Sequence, residues 1–207
     1  MKKTFFFIFV FGCLCLSGFR EGEPEGFSRK ISDAALARTE CEVRYDGSYK
    51  RIGYPGGDVP SGTGVCTDVL IRSYRVLGID LQKDLHLDLK NNFSKYPDAW
   101  GLKKPDTNID HRRVLNLRVF FSRKGITLPV TQEAADYLPG DIVSWRLQSG
   151  LPHIGIVVDR RSGDGTRHLV VHNISAGPEL EDVLFSYKIT GHYRYYGNFS
   201  GATHSLN

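Results

Sequence analysis

Gly64-Val65-Cys66-Thr67-Asp68-Val69-Leu70-Ile71 follows a loop rich in glycine and proline, residues 52–63, and begins a helical pattern. Apolar or aromatic residues recur three, four, eight and eleven positions after Cys66, which is the spacing of one helical face. Gly78 then supplies the residue type that commonly ends a helix. The sequence therefore predicts a helix with Cys66 in its first turn and on its inward face.

This position makes Cys66 a candidate nucleophile. The partial positive charge at a helix N-terminus lowers the pKa of a thiol, and the thiolate is the reactive form of cysteine. The glycines that precede it provide backbone that can approach a ligand closely. We therefore expect a reactive thiolate at Cys66.

The N-terminus has the layout of a secretory signal peptide. Lys2 and Lys3 precede an almost wholly apolar run, residues 5–16, and small residues follow it. We predict export to the periplasm or cell envelope, with residues 1–18 removed as a signal or kept as an anchor. Cys13 is a candidate lipidation site, since the residues before it weakly resemble a lipoprotein signal. Membrane attachment is expected only through this segment.

Length and composition favour one globular domain with short appendages. The 207 residues are 41% hydrophobic and 24% charged, which is ordinary for a chain with a real core. We predict a linker over residues 19–30, one domain over residues 31–198 and a tail over residues 199–207. The formal charge of +4 falls to +2 without Lys2 and Lys3, which is too mild to indicate nucleic acid as a partner.

The cysteines leave one structural alternative open. Cys13 and Cys15 lie in the predicted signal, so the exported chain keeps Cys41 and Cys66. In an oxidising compartment these two could form a disulfide. Such a bond would make Cys66 structural and would remove the nucleophile.

Three further helices are predicted from apolar spacing and end signals. They cover residues 33–38 with Ser32 as the N-cap, residues 81–93, and residues 112–124 with Asp110 as the cap and Gly125 as the stop.

From residue 139 onward the pattern changes to the alternation typical of strands. Strands are predicted over residues 141–145, 153–158, 168–172, 183–187 and 192–196. A turn signal at residues 160–166 makes the second and third strands an antiparallel hairpin, with His153 roughly opposite His172. Helices followed by an antiparallel sheet indicate an α+β fold.

Three residues on these elements form a catalytic pattern. A nucleophilic cysteine needs a base beside it and a third polar group that orients the base. Packing the helix start against the hairpin would bring Cys66, His153 and His172 together in those roles. No metal or cofactor is predicted, because no CxxC spacing supports a zinc site.

Several motifs resemble those of one superfamily. Tyr54-Pro-Gly-Gly, Cys66 at a helix start, Pro139-Gly-Asp-Ile-Val-Ser-Trp145 and His153-Ile-Gly-Ile-Val-Val look like papain-like cell-wall hydrolases of the NlpC/p60 and CHAP types. The resemblance covers about residues 52–175. It implies a papain-like α+β catalytic domain that cuts amide bonds in peptidoglycan. The chain as a whole also resembles exported bacterial domains of unknown function.

The resemblance implies roles for individual residues. Cys66 would be the nucleophile, with its backbone N–H as an oxyanion donor, and His153 would be the base. His172 would orient His153, with Asn173 as the alternate. Tyr54 would lie near the oxyanion side.

Two residues depart from the family pattern. Val65 stands where NlpC/p60 members usually carry an aspartate implicated in gripping the free amine of the stem peptide, and Asp68 stands where they usually carry glycine. Asp68 joins Tyr54 and Asn173 as a predicted substrate contact. These departures leave open which amide bond is cut.

The sequence thus predicts an exported, monomeric cysteine hydrolase of peptidoglycan, acting through a Cys66 acyl-enzyme. It is either a stem-peptide endopeptidase or an N-acetylmuramoyl-L-alanine amidase. Two alternatives remain open. One is a non-catalytic cell-wall binding module with Cys66 disulfide-bonded to Cys41, and the other is a thiol acyltransferase on the same fold.

Overall fold

The computed structural model describes residues 23, 24 and 26–197. The predicted signal peptide, the Cys13 lipidation site and the tail over residues 199–207 lie outside the described residues. Within the described part of the chain, no helix has both the length and the apolar character needed to cross a membrane.

Four α-helices occur before residue 125 in the described part of the chain. They span Phe27–Leu36 (α1), Cys66–Val76 (α2), Leu81–Asn91 (α3) and Val114–Lys124 (α4). Helix α2 begins at the predicted residue, and Gly78 takes a left-handed φ of 77° just beyond its end. The predicted α3 and α4 are confirmed with slightly shorter bounds.

Two predicted helix caps are wrong. Helix α1 begins at Phe27, inside the predicted linker, so Ser32 lies within the helix, and its hydroxyl accepts the backbone N–H of Asp159 instead. Asp110 begins a short 3-10 turn, and its carboxylate accepts the N–H of Asp106 rather than capping α4. In both cases the side chain that was predicted to cap a helix makes a different hydrogen bond, a tertiary one at Ser32 and one within a loop at Asp110.

The second half of the domain is an antiparallel sheet of six strands in the order β3-β8-β4-β5-β6-β7. A separate two-residue parallel pair consists of β1 (Arg44–Tyr45) and β2 (Thr63–Gly64). The sheet strands are β3 (Ile126–Thr127), β4 (Ile142–Arg146), β5 (Pro152–Arg161), β6 (His168–His172), β7 (Glu179–Glu181) and β8 (Lys188–Arg194). The α+β arrangement agrees with the sequence.

The strand predicted over residues 183–187 is wrong. This segment is a turn, and it packs Leu184 into a small buried cluster with Trp145. The indole N–H of Trp145 donates a 2.9 Å hydrogen bond to the carbonyl of Leu184. The apolar residues in this segment therefore reflect a turn that covers the face of the sheet away from the helices.

The main core lies between the helices and the other face of the sheet. Helices α1, α2 and α4 contact β5, and their apolar side chains join those of the sheet in one large cluster. Along β5, Ile154 and Ile156 point into this cluster, whereas Val157 joins the smaller cluster behind the sheet. Strand β5 is thus buried on both faces and is the central support of the domain.

The register of the β5–β6 hairpin differs from the predicted one by two residues. Val157 pairs with Val170, and continuing this register places His172 opposite Gly155 rather than His153. The cause is that the turn lies later in the chain than its sequence signal indicated, since Arg161 pairs with His168; the bulge between Val157 and Arg161 offsets only part of this shift. His153 and His172 are therefore diagonal neighbours on one face of the sheet.

A buried ion pair fixes the start of α2. The guanidinium of Arg112 lies 2.9 Å from the carboxylate of Asp68, and both side chains are almost fully buried. Asp68 also accepts the N–H of Val65 at 2.7 Å, which satisfies a free donor at the helix start. Arg112 donates further hydrogen bonds to the carbonyls of Asp46 and Ser48. One cation therefore joins the helix start to the preceding loop.

We predict that Asp68→Asn destabilises the domain by about 3–5 kcal/mol, because it leaves the buried charge of Arg112 without a counter-ion. Urea unfolding measures the change. Asp182→Asn is the matched control, since Asp182 pairs with Arg167 at the surface, and its removal should cost less than about 1 kcal/mol. Equal losses in the two variants would contradict this reading of the Asp68 pair.

Candidate active site

Cys66 is the first residue of α2 and is 5% exposed. Its sulfur lies against the backbone N–H of Ile154 on β5 and against the N–H groups of Cys66 itself and Thr67. N–H groups at the start of a helix have no acceptor within the helix, so they are available to a ligand. The nucleophile candidate therefore sits where α2 abuts the beginning of β5.

The predicted lowering of the Cys66 pKa is wrong. Burial raises the pKa of the thiol to about 12, and the nearby carboxylate of Asp68 acts in the same direction. The backbone N–H groups of Ile154 and Thr67 lower it, but by less than burial raises it. The helix terminus is present as expected, yet desolvation of the thiolate outweighs it.

His153 and His172 are brought together by the sheet. Nε2 of His153 lies 3.2 Å from Nδ1 of His172, and the two rings are perpendicular with centroids 5.1 Å apart. Gly155 makes the contact possible, because a Cβ there would lie 3.1 Å from the Cβ of His172 and 2.8 Å from Val170. The histidine that the sequence proposed as the third group therefore does contact the predicted base.

Glu181 extends this pair to a third residue that the sequence analysis missed. Its Oε2 lies 2.9 Å from Nε2 of His172. Nε2 nevertheless has no acceptor with hydrogen-bond geometry, so the Glu181 carboxylate lies beside the His172 ring without a directed hydrogen bond. Glu181 was missed because β7 is only three residues long and no strand was predicted there.

Both histidines are held in the neutral state at neutral pH. Burial, and then the neighbouring His172, lowers the pKa of His153 to about 3. Burial lowers the pKa of His172 to about 4, against an opposing effect of the Glu179 carboxylate. Neutral imidazoles can accept a proton, which is what a general base must do.

The Cys66 sulfur contacts the strand that carries His153 but, within the described residues, makes no hydrogen bond to the His153 ring. Alternation along β5 directs Ile154 toward the helices and His153 toward Trp145, whose ring centroid is 6.0 Å away. His153 is the second residue of the strand, and Pro152 before it borders the space over Cys66. Hydrogen bonds between catalytic groups often tighten only when substrate binds.

Nδ1 is the nitrogen of His153 that remains for the thiol. Nε2 of His153 contacts Nδ1 of His172, and Nδ1 of His153 has no hydrogen-bond partner in the described part of the chain. A cleft of about 230 Å³ passes over Cys66 and is bordered by Pro152, the residue before His153. The thiol and the strand end therefore face a common space.

The three predicted substrate contacts lie elsewhere. Tyr54 is on the loop over α3, with its ring 4.9 Å from that of His86, so it is not beside the oxyanion donors. Asp68 is 3% exposed and engaged by Arg112. Asn173 is 1% exposed, its two amide atoms are buried without a partner among the described residues, and it does not line the Cys66 cleft.

Tyr45 takes the place that was predicted for Tyr54. It lines the cleft beside Cys66, and the parallel β1–β2 pair sets it opposite Gly64, two residues before the cysteine. Burial, followed by the nearby Cys66 and Asp68, raises the pKa of its hydroxyl. The pairing of two-residue strands has no sequence pattern, so periodicity could not have found it.

Cys41 and Cys66 are both free thiols, which removes the predicted alternative of a structural disulfide. The Cys41 sulfur instead contacts the carbonyl of Ala37, one turn earlier in the chain. Among the described residues, no group of three or more histidine, cysteine, aspartate or glutamate side chains is placed to hold a metal ion.

Comparison with known proteins identifies the family. The profile described as Domain of unknown function (DUF1287) matches residues 32–195. The chain belongs to this family. The Uncharacterized protein YijF of Escherichia coli strain K12 is 52% identical to it over 166 residues, which cover 80% of each chain. A solved N-acetylmuramoyl-L-alanine amidase from Bacteroides uniformis ATCC 8492 is similar with a TM-score of 0.44 and 13% identity, over 81% of this chain and 97% of that one.

We predict that Cys66 reacts slowly with iodoacetamide at pH 7. A thiol with a pKa of about 12 is ionised to roughly one part in 10⁵ at that pH, and its labelling rate should rise about tenfold per pH unit from pH 7 to 10. Peptide mapping by mass spectrometry reads Cys66 separately from the other cysteines. The urea-unfolded chain is the control and should label far faster. Rapid labelling of the folded chain at pH 7 would show a preformed thiolate instead.

Proposed function

We propose that this protein is an exported cysteine hydrolase that cleaves amide bonds of peptidoglycan through a Cys66 acyl-enzyme. The observation that carries the proposal is the position of the Cys66 thiol at a helix start, against the N–H of Ile154, which follows His153 on β5; the ring of His153 is in turn backed by His172. Nucleophile, base and orienting group are the components that acyl transfer requires.

The reaction begins from neutral groups. Nδ1 of His153 takes the proton of the Cys66 thiol as the sulfur attacks the amide carbonyl carbon. The N–H groups at the start of α2 stabilise the negative charge that develops on the oxygen. The C–N bond then breaks, the departing amine takes the proton from His153, and water hydrolyses the remaining thioester with His153 again as base.

The contacts behind His153 fit this role for Nδ1. For Nδ1 to be unprotonated, Nε2 must carry the hydrogen and donate it to Nδ1 of His172. His172 then carries its own hydrogen on Nε2, 2.9 Å from the carboxylate of Glu181. Glu181 therefore favours the tautomer of His172 that in turn orients His153.

Two features of the sequence favour peptidoglycan as the substrate. The predicted signal peptide would deliver the chain to the compartment that contains the cell wall. The motifs around Cys66, Pro139–Trp145 and His153 resemble those of hydrolases that act on this polymer. The burial of the thiol supports a neutral starting state that is activated only by a bound substrate.

Digestion of purified peptidoglycan, with fragments identified by mass spectrometry, tests the proposal. The wild-type chain should release soluble fragments, and Cys66→Ala should lower the rate by at least about 10³-fold while the fold is kept. Cys41→Ala is the matched control and should retain the wild-type rate, because Cys41 lies outside the cleft. The proposal fails if Cys66→Ala releases fragments as fast as the wild type, or if neither chain releases any. Fragments joined to a new acceptor would indicate a transferase.

Glu181→Gln tests the contact between Glu181 and His172. The change keeps the size of the side chain but removes the charge beside His172, so kcat should fall about tenfold with KM unchanged. Asp182→Asn is the control on the next residue, and it should leave kcat unchanged because Asp182 pairs with Arg167 rather than with a histidine. A fall in the free energy of unfolding with kcat intact would assign Glu181 a structural role only.

A further inference from the structure

A second cavity of about 310 Å³ adjoins the Cys66 cleft. The two spaces share two wall residues, Trp100 and Arg113. The guanidinium carbon of Arg113 lies 4.1 Å from the centre of the Trp100 ring, a cation–π contact that holds this wall together. The cavity and the Cys66 cleft therefore lie on either side of the Trp100–Arg113 wall.

Asn116 gives this cavity an unsatisfied hydrogen-bond acceptor. The residue is 2% exposed and lines the cavity. Its Nδ2 donates to the carbonyl of Asp110 at 3.1 Å, which identifies the other amide atom as the oxygen. That oxygen, Oδ1, is buried and has no partner among the described residues. A buried polar atom without a partner is costly, so a ligand that supplies an N–H or O–H would be favoured here.

The charges around the cavity balance. Asp98 and Asp110 oppose Lys103 and Arg113, and Asp110 is paired directly with Arg113 at 3.2 Å. A cavity without net charge gives no compensation for burying an ammonium or a carboxylate. The ligand that fits is therefore uncharged, which argues against the charged end of a diamino acid.

The remaining wall is apolar and aromatic. Phe93 and Trp100 are each more than a third exposed, and Leu89 and Leu102 lie beside them. Small-molecule sites combine such surfaces with a few polar groups that fix orientation. An uncharged ring with one apolar face, an amide N–H and a methyl group matches this combination.

We propose that the cavity between Trp100 and Asn116 binds an N-acetylated amino sugar, whose acetamido N–H donates to Oδ1 of Asn116. This inference deepens the proposed function and rests on it for the link to catalysis. With the sugar in this cavity and the scissile amide over Cys66, the bond that is cut lies next to the sugar rather than far along the stem peptide.

Isothermal titration of the full chain carrying Cys66→Ala tests binding apart from catalysis. The probe is the trisaccharide of N-acetylglucosamine, and the comparison is the trisaccharide of glucosamine, which replaces the acetamido group with an ammonium. We expect the acetylated sugar to bind at least about tenfold more tightly. Equal binding, or tighter binding of the charged sugar, would overturn the proposal.

Three substitutions locate the site. Asn116→Ala should weaken binding of the acetylated trisaccharide at least about tenfold, and Trp100→Ala should weaken it by a similar factor. Because the Trp100 ring is partly exposed, Trp100→Ala still tests the site if Asn116→Ala does not fold. Tyr54→Ala is the matched control, since Tyr54 is 41% exposed, close to the 39% of Trp100, but lies outside both cavities. Loss of binding in Tyr54→Ala alone would place the sugar elsewhere.

A cleavage assay distinguishes the proposed sugar site from the proposed hydrolase activity. The wild-type chain is given an N-acetylmuramyl peptide and the same peptide with an acetyl group in place of the sugar. We expect kcat/KM to favour the sugar-linked substrate at least about tenfold, and Trp100→Ala to remove the preference. Equal cleavage of both would refute the sugar site and leave the hydrolase intact. Sugar binding without any cleavage would refute the hydrolase and leave the sugar site intact.

Discussion

The buried ion pair of Asp68 and Arg112 is the constraint on which the position of the candidate site depends. Two charges removed from water stabilise the fold only when they meet in good geometry, so the pair allows one placement of α2 relative to the 3-10 turn that carries Arg112. Cys66 lies two residues before Asp68 and shares that placement. The same guanidinium holds the loop after Tyr45 through two carbonyls, and so it positions the cleft wall as well.

Competition between two electrostatic effects determines the chemistry of Cys66. A helix terminus favours a thiolate, whereas burial disfavours any charge, and here burial prevails because the sulfur is almost completely removed from water. Burial lowers the pKa of His153, so the imidazole loses its proton at neutral pH, whereas the thiol keeps its proton. The resting pair is therefore a neutral thiol and a neutral base. In the proposed reaction, proton transfer therefore accompanies attack instead of preceding it.

The sheet supplies the groups that lie behind His153. Strands β5, β6 and β7 contribute His153, His172 and Glu181 in succession, and Gly155 leaves the space in which the two rings meet. Alternation along the strands was sufficient to predict that the histidines share a face. The turn after β5 lies later in the chain than its sequence signal indicated, which changed the residues that lie directly opposite, and the shortness of β7 concealed Glu181.

Local periodicity and turn chemistry were enough to predict the α+β order, the start of α2 at Cys66 and the common face of His153 and His172. The pKa of the thiol, the presence of Tyr45 rather than Tyr54 in the cleft and the buried pairing of Asp68 follow instead from the packing of the elements. Burial, and contacts between segments distant in the chain, depend on how the elements pack, and no window of sequence contains that information.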